Sequence, residues 1–249
     1  MSTSLLFAGA LVSAGAQAEV NFNAGLKTTS ESNVNGATVK ADELSDRYTT
    51  LNASGVYYTT LGSGDATYFI GQVGAASNKY ITYLGLNNDS VGASVGLYQQ
   101  LTQSFSAQLT GRGFSRSTEN PNRDSTGSGG TLELKNQLGA TSWIKGVADY
   151  ENSKANLSSN DNTANTLGLS LGFMPLANTF ASLGGSQNKR TYTLSSLETT
   201  SNTFYVDLTQ RLSKNVFLNG AYATQDNSRS DSALSSKNNI LSAAINLSF

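Results

Sequence analysis

Histidine and cysteine, on which much enzyme and metal chemistry depends, are both absent from this chain. Without histidine a Ser-His-Asp triad cannot form, and without either residue the usual ligands of zinc are missing. The chain also lacks a glycine-rich phosphate-binding motif. Two carboxylates could still hydrolyse a glycosidic bond, but no pair stands out. We therefore predict no enzyme activity, no metal site and no cofactor.

Charged residues that could instead act on passing solutes stand at alternate positions of extended segments. Apolar residues occupy one phase of these segments, and the other phase is mostly Ser, Thr, Asn, Gln, Gly or charged. With the apolar phase outward, eight charged residues are predicted to face inward: Lys27, Arg112, Glu133, Lys135, Lys145, Asp149, Asp207 and Arg211. A buried charge must be paired or hydrated. These residues therefore either line a narrow aqueous pore, biased towards anions or neutral polar solutes, or pair across the interior and close it.

The extended segments are organised by a recurring turn. Leucines stand at 61, 101, 138, 176 and 212, at spacings of 40, 37, 38 and 36, and each marks a short polar break. Between breaks lie segments with an apolar residue at every second position, such as Phe105-Ser-Ala-Gln-Leu109. A period of two is that of a β-strand with one apolar face. We therefore predict about six units of two strands each.

Short breaks alternate with long polar stretches, for example residues 115–130 and 225–238. This asymmetry predicts an all-β fold: a transmembrane antiparallel up-and-down β-barrel of about twelve strands, with short periplasmic turns and longer extracellular loops. Soluble solenoids, propellers and sandwiches are the alternatives, because they also repeat at this scale. The 13% of charged residues and the net charge of −1 favour the barrel and argue against nucleic-acid binding.

The N-terminal residues have the pattern of a secretory signal peptide. An apolar run over 4–16 is followed by Ala16-Gln17-Ala18, although no Lys or Arg precedes it. The run is too short to span a bilayer as a helix, and a buried helix of the mature protein is the alternative. We predict a signal peptide over 1–18, cleaved near Ala18, and a barrel domain over 19–249.

The last nine residues place apolar side chains at alternate positions: Leu241, Ala243, Ile245, Leu247 and Phe249. This pattern resembles the C-terminal assembly signal of Gram-negative outer-membrane β-barrel proteins. The resemblance implies an outer-membrane location, contact with outer-membrane lipid and lipopolysaccharide, and recognition of these five residues by the barrel assembly machinery. Together with the inward charges, it indicates a porin-like channel for small polar or anionic solutes. The alternative is a closed barrel that serves structure or surface interaction, as an adhesin or phage receptor does.

Two segments depart from the simple pattern. Residues 77–90 include an apolar run, which we interpret as a strand extension with a bulge near Asn87. Near Leu176 the alternation shifts phase, and Pro175 is the expected cause. Aromatic girdles are expected at both membrane interfaces. Phe249, Phe105 and Tyr57 are assigned to the periplasmic rim, and Tyr150 and Tyr222 to the outer rim.

Overall fold

The computed structural model describes residues 18–62 and 66–249, with no account of the side chains at 232–234. All of the predicted signal peptide except Ala18 lies outside the described residues. Twelve antiparallel strands pair in chain order, and β1 closes the barrel against β12, which confirms the predicted fold class. The strands are β1 (Glu19–Glu31), β2 (Asp46–Thr60), β3 (Thr67–Tyr80), β4 (Asn88–Gln100), β5 (Phe105–Thr118), β6 (Ser125–Gly139), β7 (Ser142–Ala155), β8 (Asn162–Leu176), β9 (Thr179–Tyr192), β10 (Glu198–Arg211), β11 (Val216–Arg229) and β12 (Ser232–Ser248).

The register of the sheet determines how far the strands tilt. Hydrogen-bonded partners followed from Glu19 through every strand lead to Ser236 on β12. Ile240 of β12 pairs with Glu31 of β1, which is twelve residues after Glu19. Ser236 precedes Ile240 by four residues, and because the strands are antiparallel this adds four residues to the offset on β1. One circuit is therefore offset by sixteen residues. For twelve strands this offset corresponds to a tilt of about 45° and a backbone radius of about 12 Å.

The period-two pattern places apolar side chains on the outside of the barrel. Outward-facing Phe22 and Leu51 are 60% and 61% exposed, whereas inward-facing Thr29 and Thr50 are 1% and 2% exposed. Outward apolar residues cover about ten residues of each tilted strand, so they form a belt roughly 22 Å tall. This height matches the band of roughly 25 Å that outer-membrane barrels present to hydrocarbon. We call this surface the apolar belt.

The five leucines of the repeat lie at or beside the turns of the barrel end that carries both described termini, which we call the terminal end. The long loops predicted over 115–130 and 225–238 are wrong. β5 runs to Thr118 and β6 begins at Ser125, while β11 and β12 are separated by two residues, 230 and 231. The strands continue beyond the apolar belt, where their outward side chains contact water. Because those side chains are polar, no apolar alternation marks these extensions in the sequence.

The bulge predicted near Asn87 is wrong, and the strand extension predicted over 77–90 is right only at its two ends. β3 ends at Tyr80, and a short 3-10 helix (Leu84–Leu86) leads to β4. Polar side chains replace the sheet hydrogen bonds here. The Asn87 Oδ1 accepts from the backbone N–H of Tyr80 at 2.7 Å, and the Asp46 carboxylate accepts from the backbone N–H of Tyr83 at 2.9 Å. The phase shift expected at Pro175 is confirmed, because the register between β8 and β9 slips between Phe173 and Leu176.

The seam between the first and last strands is hydrogen-bonded along its length, with Leu26 opposite Ile245. Phe249 extends the pairing. Its N–H donates to the Phe22 carbonyl at 2.8 Å, and the Phe22 N–H donates to the Phe249 carbonyl at 3.0 Å. Leu241, Ile245 and Phe249 all point outward and are exposed. Within the described parts of the chain, no helix is long and apolar enough to cross a bilayer.

Candidate functional site: the barrel lumen

The register places all eight charged residues of the sequence prediction on the inward phase of their strands. Seven of them are buried or half-buried, and Arg211 is exposed. Arg211 is the last residue of β10, and its guanidinium donates to the backbone carbonyls of Ser213 at 3.1 Å and Lys214 at 3.3 Å. Arg211 therefore lies at the mouth of the lumen, where it binds the turn.

Arg112 on β5 is the centre of the strongest ion-pair cluster inside the barrel. Its Nη1 lies 2.6 Å from Asp149 Oδ1, and its Nη2 lies 3.1 Å from Glu151 Oε2. Both carboxylates are on β7, so the arginine spans the intervening strand β6. It can do so because the inward position of β6 is Gly129, where a Cβ would stand 2.9 Å from Arg112 Cζ. The guanidinium therefore lies along the wall, where the carboxylates neutralise it.

Glu133 and Lys135 share one strand face, as do Asp207 and Arg211, but neither couple forms an ion pair. Glu133 pairs across the sheet with Lys145, at 3.2 Å between Oε2 and Nζ, and Lys135 lies 4.9 Å from the ring centroid of Trp143. Asp207 accepts a hydrogen bond of 2.5 Å from Asn219 Nδ2 on β11. All three partners are diagonal neighbours on the adjacent strand, two residues from the directly opposed position. Long side chains reach across such a diagonal of about 7–8 Å.

Large inward side chains lie flat against the wall at several places where the neighbouring strand has glycine. The Phe114 ring covers Gly127, and the Trp143 indole covers Gly172 so closely that a Cβ there would overlap it. The Tyr205 hydroxyl lies over Gly184 in the same way, 2.7 Å from where a Cβ would stand. These side chains therefore extend along the wall, over the neighbouring strand.

The sequence prediction missed five further buried or half-buried charged residues on the inward phase. They are the acidic Glu31, Asp46 and Glu151 and the basic Arg116 and Arg190. Glu31 is 3% exposed and accepts from Asn238 Nδ2 at 3.2 Å. With these residues the inward set has seven positive and six negative charges. The expected excess of positive charge therefore falls from two to one, which weakens the expected bias towards anions.

Six aromatic side chains face inward at the terminal end, and the sequence prediction missed all of them. Each is the second or third residue from the terminal end of its strand, so the six share one level of the barrel: Tyr58, Tyr68, Tyr98, Trp143, Phe180 and Phe217. All six are half-buried. Along each strand these residues occupy the positions that alternate with the outward apolar residues. This alternation could have identified them from the sequence. We call this set the aromatic collar.

One segment matches the G-x-S-x-G pattern of serine hydrolases, Gly168-Leu-Ser-Leu-Gly172. That motif requires a sharp turn from a strand into a helix, which exposes the serine. Here the segment lies inside β8 and is paired with β7 and β9, and Ser170 is 7% exposed. With no histidine in the chain to act as its base, Ser170 is a wall residue.

No protein-family model matches the chain, and no curated protein matches its sequence. Solved structures do share its fold. An outer-membrane channel from Pseudomonas putida F1 superposes with a TM-score of 0.66 at 11% identity, covering 96% of this chain and all of that one. The KdgM porin in complex with disordered oligogalacturonate has a TM-score of 0.54 at 9% identity, covering 91% and 99%. A loop-deletion mutant of OmpT, an outer-membrane protein of Vibrio cholerae, has 0.51 at 8%, covering 93% and 99%. The protein therefore has the fold of an outer-membrane β-barrel.

Proposed function

We propose that the protein is an outer-membrane channel for the passive diffusion of small polar solutes. The observation that carries this proposal is the flat arrangement of large inward side chains over wall glycines. With a backbone radius of about 12 Å and about 6 Å of side chain on each side, an aqueous opening of roughly 12 Å remains. Among the described residues, each ion pair either joins neighbouring or next-but-one strands or lies at the turn after β11, and none spans the lumen.

The charge of the lumen favours weak ion selectivity. Rings of charge of one sign make a pore selective, whereas paired charges produce little net field at its axis. Arg112 is neutralised by two carboxylates, and Lys145 by Glu133. We therefore propose that neutral polar solutes pass, with little preference for anions over cations.

The cellular setting belongs to the same proposal. Residues 1–18 are removed as a signal peptide near Ala18, and the barrel of residues 19–249 inserts into the outer membrane of a Gram-negative bacterium. There it contacts lipid and lipopolysaccharide through its apolar belt. The outward side chains of the last strand, which include Leu241, Ile245 and Phe249, serve as the signal for the barrel assembly machinery.

Single-channel recording in planar bilayers tests the proposed channel. Purified protein, shown to be folded by heat-modifiable mobility in gels, is expected to give stable conductance steps. In a tenfold KCl gradient the zero-current potential is expected to lie close to zero, because the wall charges nearly balance. Folded protein that gives no conductance above background would refute the channel and leave the closed barrel of the alternative interpretation.

A further inference from the structure

The aromatic collar combines ring faces with amide groups. Tyr58, Tyr68 and Tyr98 lie on three consecutive strands, and the Tyr68 and Tyr98 ring centroids are 5.8 Å apart. Polar side chains hold the phenols. Asn21 Nδ2 donates to the Tyr58 hydroxyl at 2.8 Å, and this hydroxyl donates to Glu19 Oε2 at 2.6 Å; the Tyr98 hydroxyl donates to Gln100 Oε1 at 2.6 Å. The rings are thereby fixed at the inner wall of the mouth.

We infer that the aromatic collar binds neutral oligosaccharides, an inference that rests on the proposed channel function and names its solute class. A pyranose ring has an apolar face of C–H groups, whose partial positive charge suits the negative face of an aromatic ring. Its edge consists of hydroxyl groups, each both a donor and an acceptor. Amide side chains also donate and accept, whereas carboxylates only accept and ammonium groups only donate. Rings beside amides therefore suit a neutral sugar.

The cations nearest the collar are already engaged, which disfavours an acidic sugar. The Lys135 ammonium lies over the Trp143 ring, and the Arg211 guanidinium donates to two carbonyls of the turn. An acidic saccharide would need an uncommitted guanidinium or ammonium group to bind its carboxylate. Acidic and neutral saccharides can be compared directly, because chains of the same length are available in both forms.

Trp143 allows binding to be measured without any current. It is the only tryptophan of the chain and belongs to the collar. Its fluorescence is titrated in detergent-folded full-length protein with maltohexaose, cellohexaose and hexagalacturonate. At least one of the two neutral hexasaccharides is expected to change the emission saturably, and hexagalacturonate is expected to bind more weakly. No saturable change with either neutral sugar, or tighter binding of hexagalacturonate, would overturn the inference.

Variants separate ring stacking from general damage to the mouth. Replacing both Tyr68 and Tyr98 with Ala is expected to weaken binding about tenfold, since each stacked ring contributes about 0.5–1.5 kcal/mol. Replacing both with Phe keeps the rings, so affinity is expected to stay within about threefold of the parent. The matched control replaces the outward-facing Tyr150 and Tyr222 with Ala and is expected to leave binding unchanged. Equal loss in the collar variant and this control would refute the role of the collar.

Current block shows whether the same site lies on the permeation path. The sugar that changes Trp143 emission is expected to interrupt single-channel current, and the Tyr68→Ala/Tyr98→Ala variant is expected to shorten the interruptions. The two proposals fail separately. Fluorescence binding without conductance would refute the channel but keep the collar site, whereas conductance without binding of either neutral sugar would refute the collar and keep the channel.

Discussion

A single outward residue in the middle of the apolar belt provides a quantitative test of which face meets lipid. Leu208 on β10 is half exposed and lies midway between Phe204 and Leu212, four residues from each. Four residues of a strand tilted by about 45° rise about 9 Å, so Leu208 is near the membrane midplane and Leu212 near its edge. An arginine at the midplane of a barrel costs about 2–4 kcal/mol, but about 0–1 kcal/mol near the interface.

Leu208→Arg is therefore expected to lower the free energy of unfolding by about 2–4 kcal/mol, which is roughly a 30- to 1000-fold change in the folding equilibrium. The neighbouring Asp207→Asn, on the inner wall, keeps an oxygen that can accept from Asn219, so it is expected to cost only about 1 kcal/mol. Reversible guanidinium unfolding in lipid vesicles, followed by Trp143 fluorescence, measures both changes.

Leu212→Arg is the matched control for Leu208→Arg, because it introduces the same side chain on the same face. It is expected to cost at most about 1 kcal/mol. Equal losses at 208 and 212 would show that depth does not matter and that the face does not meet a bilayer. A larger loss from Asp207→Asn than from Leu208→Arg would reverse the assignment of inner and outer faces.

Three further changes test the lumen and the seam. Gly172→Leu fills the space under the Trp143 indole and is expected to push the ring into the lumen, so single-channel conductance should fall by about a third or more. Unchanged conductance would mean that the width of the lumen at Trp143 does not limit the current. Replacing Asp149 with Asn and Glu151 with Gln leaves the Arg112 guanidinium without a carboxylate partner, so the zero-current potential in a KCl gradient should move in the anion-selective direction. A shift in the cation-selective direction would contradict the assignment of these charges to the lumen. Deleting Phe249 removes two backbone hydrogen bonds of the seam, so the folded fraction in refolding assays should fall, and an unchanged fraction would show that the seam closes without it.

The twelve strands and their apolar face could be predicted because hydrocarbon imposes a strict pattern. Every outward residue within the belt must be apolar or small, as at Leu167, Leu169 and Leu171, so the strand phase is visible in the sequence. Beyond the belt both faces contact water, and the pattern stops while the strand continues. That is why residues 125–130, which begin β6, were read as part of a loop.

The candidate site was predictable at the level of faces but not of partners. Alternation from the apolar positions assigned Arg112 and Asp149 to the inner wall, and the register agrees. Their pairing depends on how β5, β6 and β7 align and on the absence of a side chain at Gly129. Neither follows from one strand alone. The aromatic collar was missed for a different reason, since only Phe249, Phe105 and Tyr57 were assigned at this end and the inward aromatic residues beside the same turns were given no role.

Whether such a barrel is open or filled depends on which residue stands beside each large inward side chain. A ring flanked by other side chains has only the axis left to occupy, whereas a ring beside glycine can lie over the neighbouring strand. Trp143 and Gly172 are direct partners in the β7–β8 register, as are Phe114 and Gly127 in the β5–β6 register. Whether the lumen is open is therefore decided by pairs of residues on adjacent strands. Composition alone, with 24 glycines and 22 aromatic residues, would fit either state.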